Sequence, residues 1–210
     1  MNGIIFDLDG TLWEVIDSTK ESADVITKKH NLPEITRKTI CSVFGLGKYD
    51  SARKYFPNIE INKAMELLDE IAKVNIQNLR EKGGNIYPNI EKTLLVLKNN
   101  FNLYIVSNTA ETEYIEAFLE SSKLKRYFTD WIAASSLNLT KGEAIQKIIK
   151  DNNIINSVYV GDTSKDLEAT LEANIPFIHV RYGFEKDLNC KYYINDFSEL
   201  PAVIEKVTKR

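Results

Sequence analysis

Five short apolar runs, rich in β-branched and aromatic residues, recur along the chain at 4–6, 103–106, 131–134, 158–160 and 176–180. Each is too short for a helix and ends near a polar or small residue, as strands buried on both faces of a parallel sheet do. Between them the spacing turns helical: residues 90, 94, 95 and 97 are apolar, as are 144, 145, 148 and 149. A further helix opens at 167–173, after Asp166. Strands alternating with helices imply an α/β fold with a doubly wound parallel sheet.

One stretch breaks the alternation. Residues 15–82 contain no convincing strand, and their pattern is helical almost throughout. The best helices span 19–30, 35–43 and 61–80, punctuated by Pro33, Gly45, Gly47 and Pro57. The long one carries a wide apolar stripe, and Gly83-Gly84 marks a flexible return. The expected organisation is a core made of 1–14 and 83–210, with 15–82 inserted as a helical domain after the first strand.

Composition narrows the function. A formal net charge of −3 gives no reason to expect nucleic acid or an acidic membrane surface as a partner. No apolar run approaches the roughly 20 residues of a membrane helix. The first residues lack the basic start and long apolar stretch of a signal peptide. Cys41 and Cys190 have no metal-binding spacing and read as two reduced structural thiols. The expectation is a soluble, cytoplasmic protein, monomer or homodimer, of 210 residues.

The chemistry concentrates at strand ends. The first strand runs into Asp7-Leu8-Asp9-Gly10-Thr11, and ligands of open α/β sheets bind where strands end. Residues i and i+2 share a strand face, which would bring the two carboxylates together. If the backbone turns there instead, a carbonyl rather than one side chain faces the site, and Gly10 permits such a turn. Paired acids repel unless a proton or cation lies between them, and magnesium suits carboxylates combined with phosphate oxygens.

The run from Ile5 to Leu12 resembles the first signature of the haloacid dehalogenase superfamily in its phosphatase branch. Tyr104-Ile105-Val106-Ser107-Asn108 is similar to that family's second motif, although Ser-Asn after a strand is also a common turn or cap. Lys141, opening a helix at Thr140-Lys141-Gly142-Glu143, matches the third, with Gly142 where many relatives have proline. Val158-Tyr159-Val160-Gly161-Asp162-Thr163-Ser164-Lys165-Asp166 resembles the fourth. Asp166 reads equally as a charge suited to a helix N-terminus. Tyr87-Pro88-Asn89-Ile90, Asn174-Ile175-Pro176 and Val180-Arg181-Tyr182-Gly183-Phe184 extend the resemblance over most of the core, nearest to phosphoglycolate-type phosphatases with a helical cap.

The resemblance implies a phosphatase acting on a small phosphorylated metabolite through an aspartyl-phosphate. Asp7 would be the nucleophile and Asp9 the acid and base, with Lys141 neutralising charge. Gly10, Thr11, Ser107, Asn108 and Lys141 would hold phosphate. Mg2+ would be bound by Asp7, Asp9 (through its carbonyl) and Asp162, supported by Thr163 and Asp166. In the inserted helices Lys48 and Arg53 are candidates for substrate selection, alongside Tyr49 and Lys54; each reads equally as a solvated surface group. A sugar-phosphate mutase of the same superfamily and a non-catalytic phosphate-binding or signalling relative are the alternatives.

Overall fold

The computed structural model describes residues 2–208. Six parallel strands form one sheet in the order β5-β4-β1-β6-β7-β8. They are β1 (Gly3–Phe6), β4 (Asn102–Ser107), β5 (Phe128–Ala133), β6 (Ser157–Gly161), β7 (Phe177–Val180) and β8 (Tyr193–Ile194). Neighbouring residues of each central strand enter opposite cores. Ile4 and Phe6 of β1 pack with Leu103 and Ile105 of β4, whereas Ile5 packs with Tyr104 and Val106 on the other face. A strand buried on both faces has no polar side, which is why these runs read as continuously apolar.

Helices α5 (Ile90–Lys98), α6 (Thr112–Ser121), α7 (Lys141–Asp151), α8 (Ser164–Ala173) and α9 (Leu200–Thr208) flank the sheet. α6, α9 and the edge strand β8 went unread in the sequence, and β5 begins earlier than its apolar run. The pairing of β5 with β4 is irregular between Leu103 and Tyr104.

No strand lies within the described residues 15–82. They form α1 (Ile16–Lys29), α2 (Arg37–Cys41), α3 (Lys48–Tyr55) and α4 (Ile61–Lys82). The second of the three expected helices shrinks to five residues, started by Thr36, whose hydroxyl accepts from the Thr39 amide. α4 is capped by the Glu60 carboxylate, which accepts from the amides of Asn62 and Lys63, and it ends at Gly83 with φ +76°. Ala23, Ile26, Ile40, Leu67 and Ile71 give this layer a core of its own. At its two junctions with the sheet the chain pairs with itself: β2 (Trp13–Glu14) runs antiparallel to β3 (Asn85–Ile86). Neither two-residue strand carries enough pattern to be read from sequence.

No described helix is long and apolar enough to cross a membrane. Both cysteines are free, and Cys41 is exposed rather than structural.

The separate core of the helical layer carries a stability prediction. Leu67 is fully buried there, so Leu67→Ala should cost about 2–5 kcal/mol of unfolding free energy. Urea denaturation followed by circular dichroism measures it; a cost below about 1 kcal/mol would mean this layer packs loosely.

Candidate active site

Three neighbouring strands deliver the site. β4 ends in Ser107, β1 is followed by Asp7 and β6 by Asp162. The Asp7 amide donates to the Val160 carbonyl at 2.9 Å, holding the residue against the next strand as the chain leaves the sheet.

Lys141 is the hub. It is the first residue of α7, fixed by a capping box between Thr140 and Glu143. Its ammonium donates to Asp7 Oδ1 at 2.5 Å and to Asp166 Oδ1, and all three side chains are buried. Burial opposes the lysine's charge, but Asp166 and Asp7 more than offset that and hold its pKa well above the usual range. Asp166 Oδ2 accepts from the Thr163 amide at 2.9 Å, the Thr163 hydroxyl at 2.8 Å and the Asp162 amide at 3.2 Å. Both its oxygens are thus occupied by protein donors.

Asp162 keeps more capacity. Its Oδ2 accepts from the Phe184 amide at 2.6 Å, while Oδ1 meets only the Thr11 hydroxyl at 3.5 Å. Gly10 permits the close approach of this turn: with φ +82°, a Cβ there would lie 2.3 Å from Asp162 Oδ2.

Asp7, Asp162 and Asp166 each offer a carboxylate oxygen within 4.8 Å of the others. Burial, opposed by Lys141, leaves Asp7 pushed up to about 7. Burial, then the charges of Asp166 and Asp7, lifts Asp162 well above the carboxylate range. One ammonium does not neutralise three buried acids. An all-oxygen donor set of this kind, with spare lone pairs on Asp7 and Asp162, fits a hard divalent cation.

Asp9 points elsewhere. Its Oδ1 accepts from Trp13 Nε1 and from the Tyr114 hydroxyl, each at 2.8 Å. Desolvation raises its pKa to about 6, with these two donors pulling it back down. The turn after β1 therefore gives the two carboxylates different partners, although both line the same cavity.

The sequence pattern of haloacid dehalogenase-like hydrolases matches residues 4–180. The chain belongs to that family. Among curated members, it is 23% identical to a phosphoglycolate phosphatase of Photobacterium profundum, over 96% of this chain and 95% of that protein. It is 27% identical to the phosphoglycolate phosphatase of Agrobacterium fabrum, covering 98% and 94% respectively. A haloacid dehalogenase-like hydrolase from Streptococcus pneumoniae shares the fold at TM-score 0.83 and 18% identity, over 97% of this chain and 98% of that one. With relatives of that type along its whole length, this family member is a phosphoric monoester hydrolase.

The structure brings Asp7, Asp9, Ser107, Asn108, Lys141, Asp162, Thr163 and Asp166 around one cavity of about 210 Å³. Gly10 and Thr11 do not line this cavity. Their amides are bonded inside the turn, to the carbonyls of Trp13 and Leu8. Among the described residues nothing bonds the amides of Leu8 and Asp9, which makes them the better anion donors. Lys48 lines the cavity but is paired with Asp69 at 2.6 Å. Arg53 does not line it; its guanidinium lies 5.2 Å from the Tyr49 ring and bonds that hydroxyl. Lys54 donates to the Ser42 carbonyl. Trp13 and Tyr114 were missed. Trp13 lies four residues from Asp9, but Tyr114 arrives from α6 with no local signal.

Removing the hub should expose the electrostatic debt of the cluster. Asp7 has a folded pKa of about 7 against 3.8 unfolded, so its protonated form favours folding at low pH and that contribution disappears as pH rises through 7. In metal-free protein, Lys141→Met should destabilise by about 3–5 kcal/mol near pH 8 and by less near pH 5, where Asp7 takes up a proton. Urea unfolding at both pH values measures it. An equal loss at both would show that Asp7 is not the group left uncompensated.

Proposed function

We propose that the chain hydrolyses small phosphate monoesters through an aspartyl-phosphate on Asp7, with Mg2+ as cofactor. The observation that carries this reading is the division between two carboxylates two residues apart. Asp7 sits in the cluster of buried acids, bonded to the Lys141 ammonium, with a pKa pushed up to about 7 that a bound cation would bring down. Asp9 is held apart by two neutral donors, Trp13 and Tyr114. An acid placed at a cation site suits attack on phosphorus, and one held away from it by neutral donors suits proton transfer.

In the first step an Asp7 oxygen attacks phosphorus, the ester P–O bond breaks, and Asp9 gives its proton to the departing alkoxide. In the second, Asp9 takes a proton from water, the water oxygen bonds to phosphorus, and the P–O bond to Asp7 breaks. Lys141, Ser107, Asn108 and the amides of Leu8 and Asp9 hold the remaining oxygens, the positioning and charge stabilisation that phosphoryl transfer asks of a protein. Mg2+ would be held by Asp7, Asp162 and the Asp9 carbonyl. When bound it supplies positive charge that favours ionised Asp7 and screens the dianionic phosphate. Asp166, with both oxygens occupied, orients Lys141 and the Asp162 turn.

Residues 15–82 act as a cap over the site and 1–14 with 83–210 as the catalytic core. A separate apolar core, the β2–β3 pair at both crossings and a cavity between the two parts support this division. The absence of a membrane-length helix among the described residues is compatible with the cytoplasm as its location.

Asp7→Asn keeps the shape and removes the attacking charge. Turnover of p-nitrophenyl phosphate should fall by several orders of magnitude with an unchanged circular dichroism spectrum; near-normal turnover would rule out the covalent route. Metal removal is a second test. A chelator should abolish phosphate release, and Mg2+ should restore it better than Ca2+, whose longer bonds and higher coordination number suit this site poorly. Mg2+ should also raise the melting temperature, by more near pH 8 than near pH 5, because protons compete for Asp7. Full activity in chelator would exclude the metal.

A further inference from the structure

The far wall of the cavity says what kind of alcohol can leave, taking the phosphatase reading as given. The helical layer presents Val43, Phe44, Leu46, Leu68, Ile71 and Ile76 to it. The neutral polar side chains it offers are those of Thr19, Ser51, Tyr55 and Asn75. Ser51 and Tyr55 lie on the same face of α3 as Lys48, at the spacing of one and two helical turns.

Charge is distributed one-sidedly. Asp7, Asp9, Asp69, Glu111, Asp162 and Asp166 line the cavity against two cations, Lys48 and Lys141. Neither cation is free. Lys141 serves Asp7 and Asp166, and Lys48 is paired with Asp69, itself a lining residue. A divalent metal and a phosphate dianion would cancel each other. A second negative charge, carried by the alcohol, would enter an apolar space with Asp69 and Glu111 nearby and no unpaired cation.

The geometry points to an uncharged leaving group: the substrates are phosphate monoesters of neutral alcohols with an apolar surface and a hydroxyl for Thr19, Ser51 or Tyr55, and esters whose alcohol bears a carboxylate are discriminated against. This departs from the name shared by the curated relatives, since glycolate carries a carboxylate. The Lys48–Asp69 pair is the determinant. Asp69 cancels the one cap-side charge that would otherwise receive a carboxylate.

The test compares three esters with Mg2+ and the intact chain: p-nitrophenyl phosphate, 2-phosphoglycolate and 2-hydroxyethyl phosphate, which replaces the carboxylate by a hydroxymethyl group. The kcat/KM for 2-hydroxyethyl phosphate should exceed that for 2-phosphoglycolate by about tenfold or more. Equal values, or a preference for 2-phosphoglycolate, would overturn the inference while leaving the phosphatase reading intact. No phosphate from any of the three would overturn that reading, and the inference with it. Asp69→Asn should release Lys48 and raise the ratio of 2-phosphoglycolate to 2-hydroxyethyl phosphate about tenfold, whereas Lys48→Met should not raise it. An unchanged ratio in Asp69→Asn would remove the ion pair as the determinant.

Discussion

A single buried ammonium holds the site together. Lys141 lies between Asp7 and Asp166, and such an arrangement is tolerated in a protein interior only when geometry and hydrogen bonding are nearly complete. Each participant is therefore fixed by its own element. Asp7 is tied to β6 through its amide, and Lys141 and Asp166 occupy the first turns of α7 and α8, both started by capping boxes. The two helices must also approach closely. Glu172 of α8 accepts from the Thr140 hydroxyl and, through its carbonyl, from Gln146. A Cβ at Gly142 would lie 2.2 Å from the Glu172 carboxylate and 2.8 Å from its Cβ. The glycine that stands where many relatives have proline thus matches the packing partner of this chain's lysine helix.

The same constraint explains why Asp9 must leave the cluster. A fourth carboxylate beside Asp7, Asp162 and Asp166 would add repulsion that one lysine could not offset. The chain turns after Phe6, and Asp9 finds an indole and a phenol instead. Tyr114 is buried, and its hydroxyl pKa is raised well above normal, first by burial and then by the Asp9 charge, so it stays a donor. Trp13 anchors Asp9 and also begins β2, where the chain crosses into the helical layer. Asp9 and the crossing into the helical layer thus share one residue, Trp13.

What could be read in the sequence followed from local physics. Strands buried on both faces announce themselves as apolar runs, and helix starts such as Thr140 and Thr163 carry their own capping chemistry. The acids and Lys141 were legible because they stand at those ends and match a family's order of motifs. Tyr114 was not, since its partner Asp9 is 105 residues away and α6 gave no other sign of a role. Of the two basic residues singled out for substrate selection, Lys48 lines the cavity and Arg53 does not, for a related reason. Counting basic residues ignores helix phase: on α3, residues 48, 51 and 55 share the cavity face while 53 does not. Nor does sequence show that Lys48 is matched by Asp69, 21 positions further on in α4.

The helical layer meets the core through α4 packed on α6, with Ile76 and Leu79 buried in the main core, through the stacked rings of Phe44 and Phe184, 4.3 Å apart, and through the Arg80–Glu113 ion pair. Phe184 is the residue whose amide holds Asp162. One aromatic contact therefore connects the cavity wall of the helical layer to Asp162. Because the layer has its own core, cavity-side positions away from Phe44 can change without touching the acids below, and under the proposed function hydrolysis of the phosphoryl group is separable from choice of the alcohol. Family membership constrains the first through Asp7, Lys141 and Asp162. The second is proposed to rest on residues such as Lys48, Asp69, Ser51 and Tyr55, where a single ion pair would change the sign of what the wall can accept.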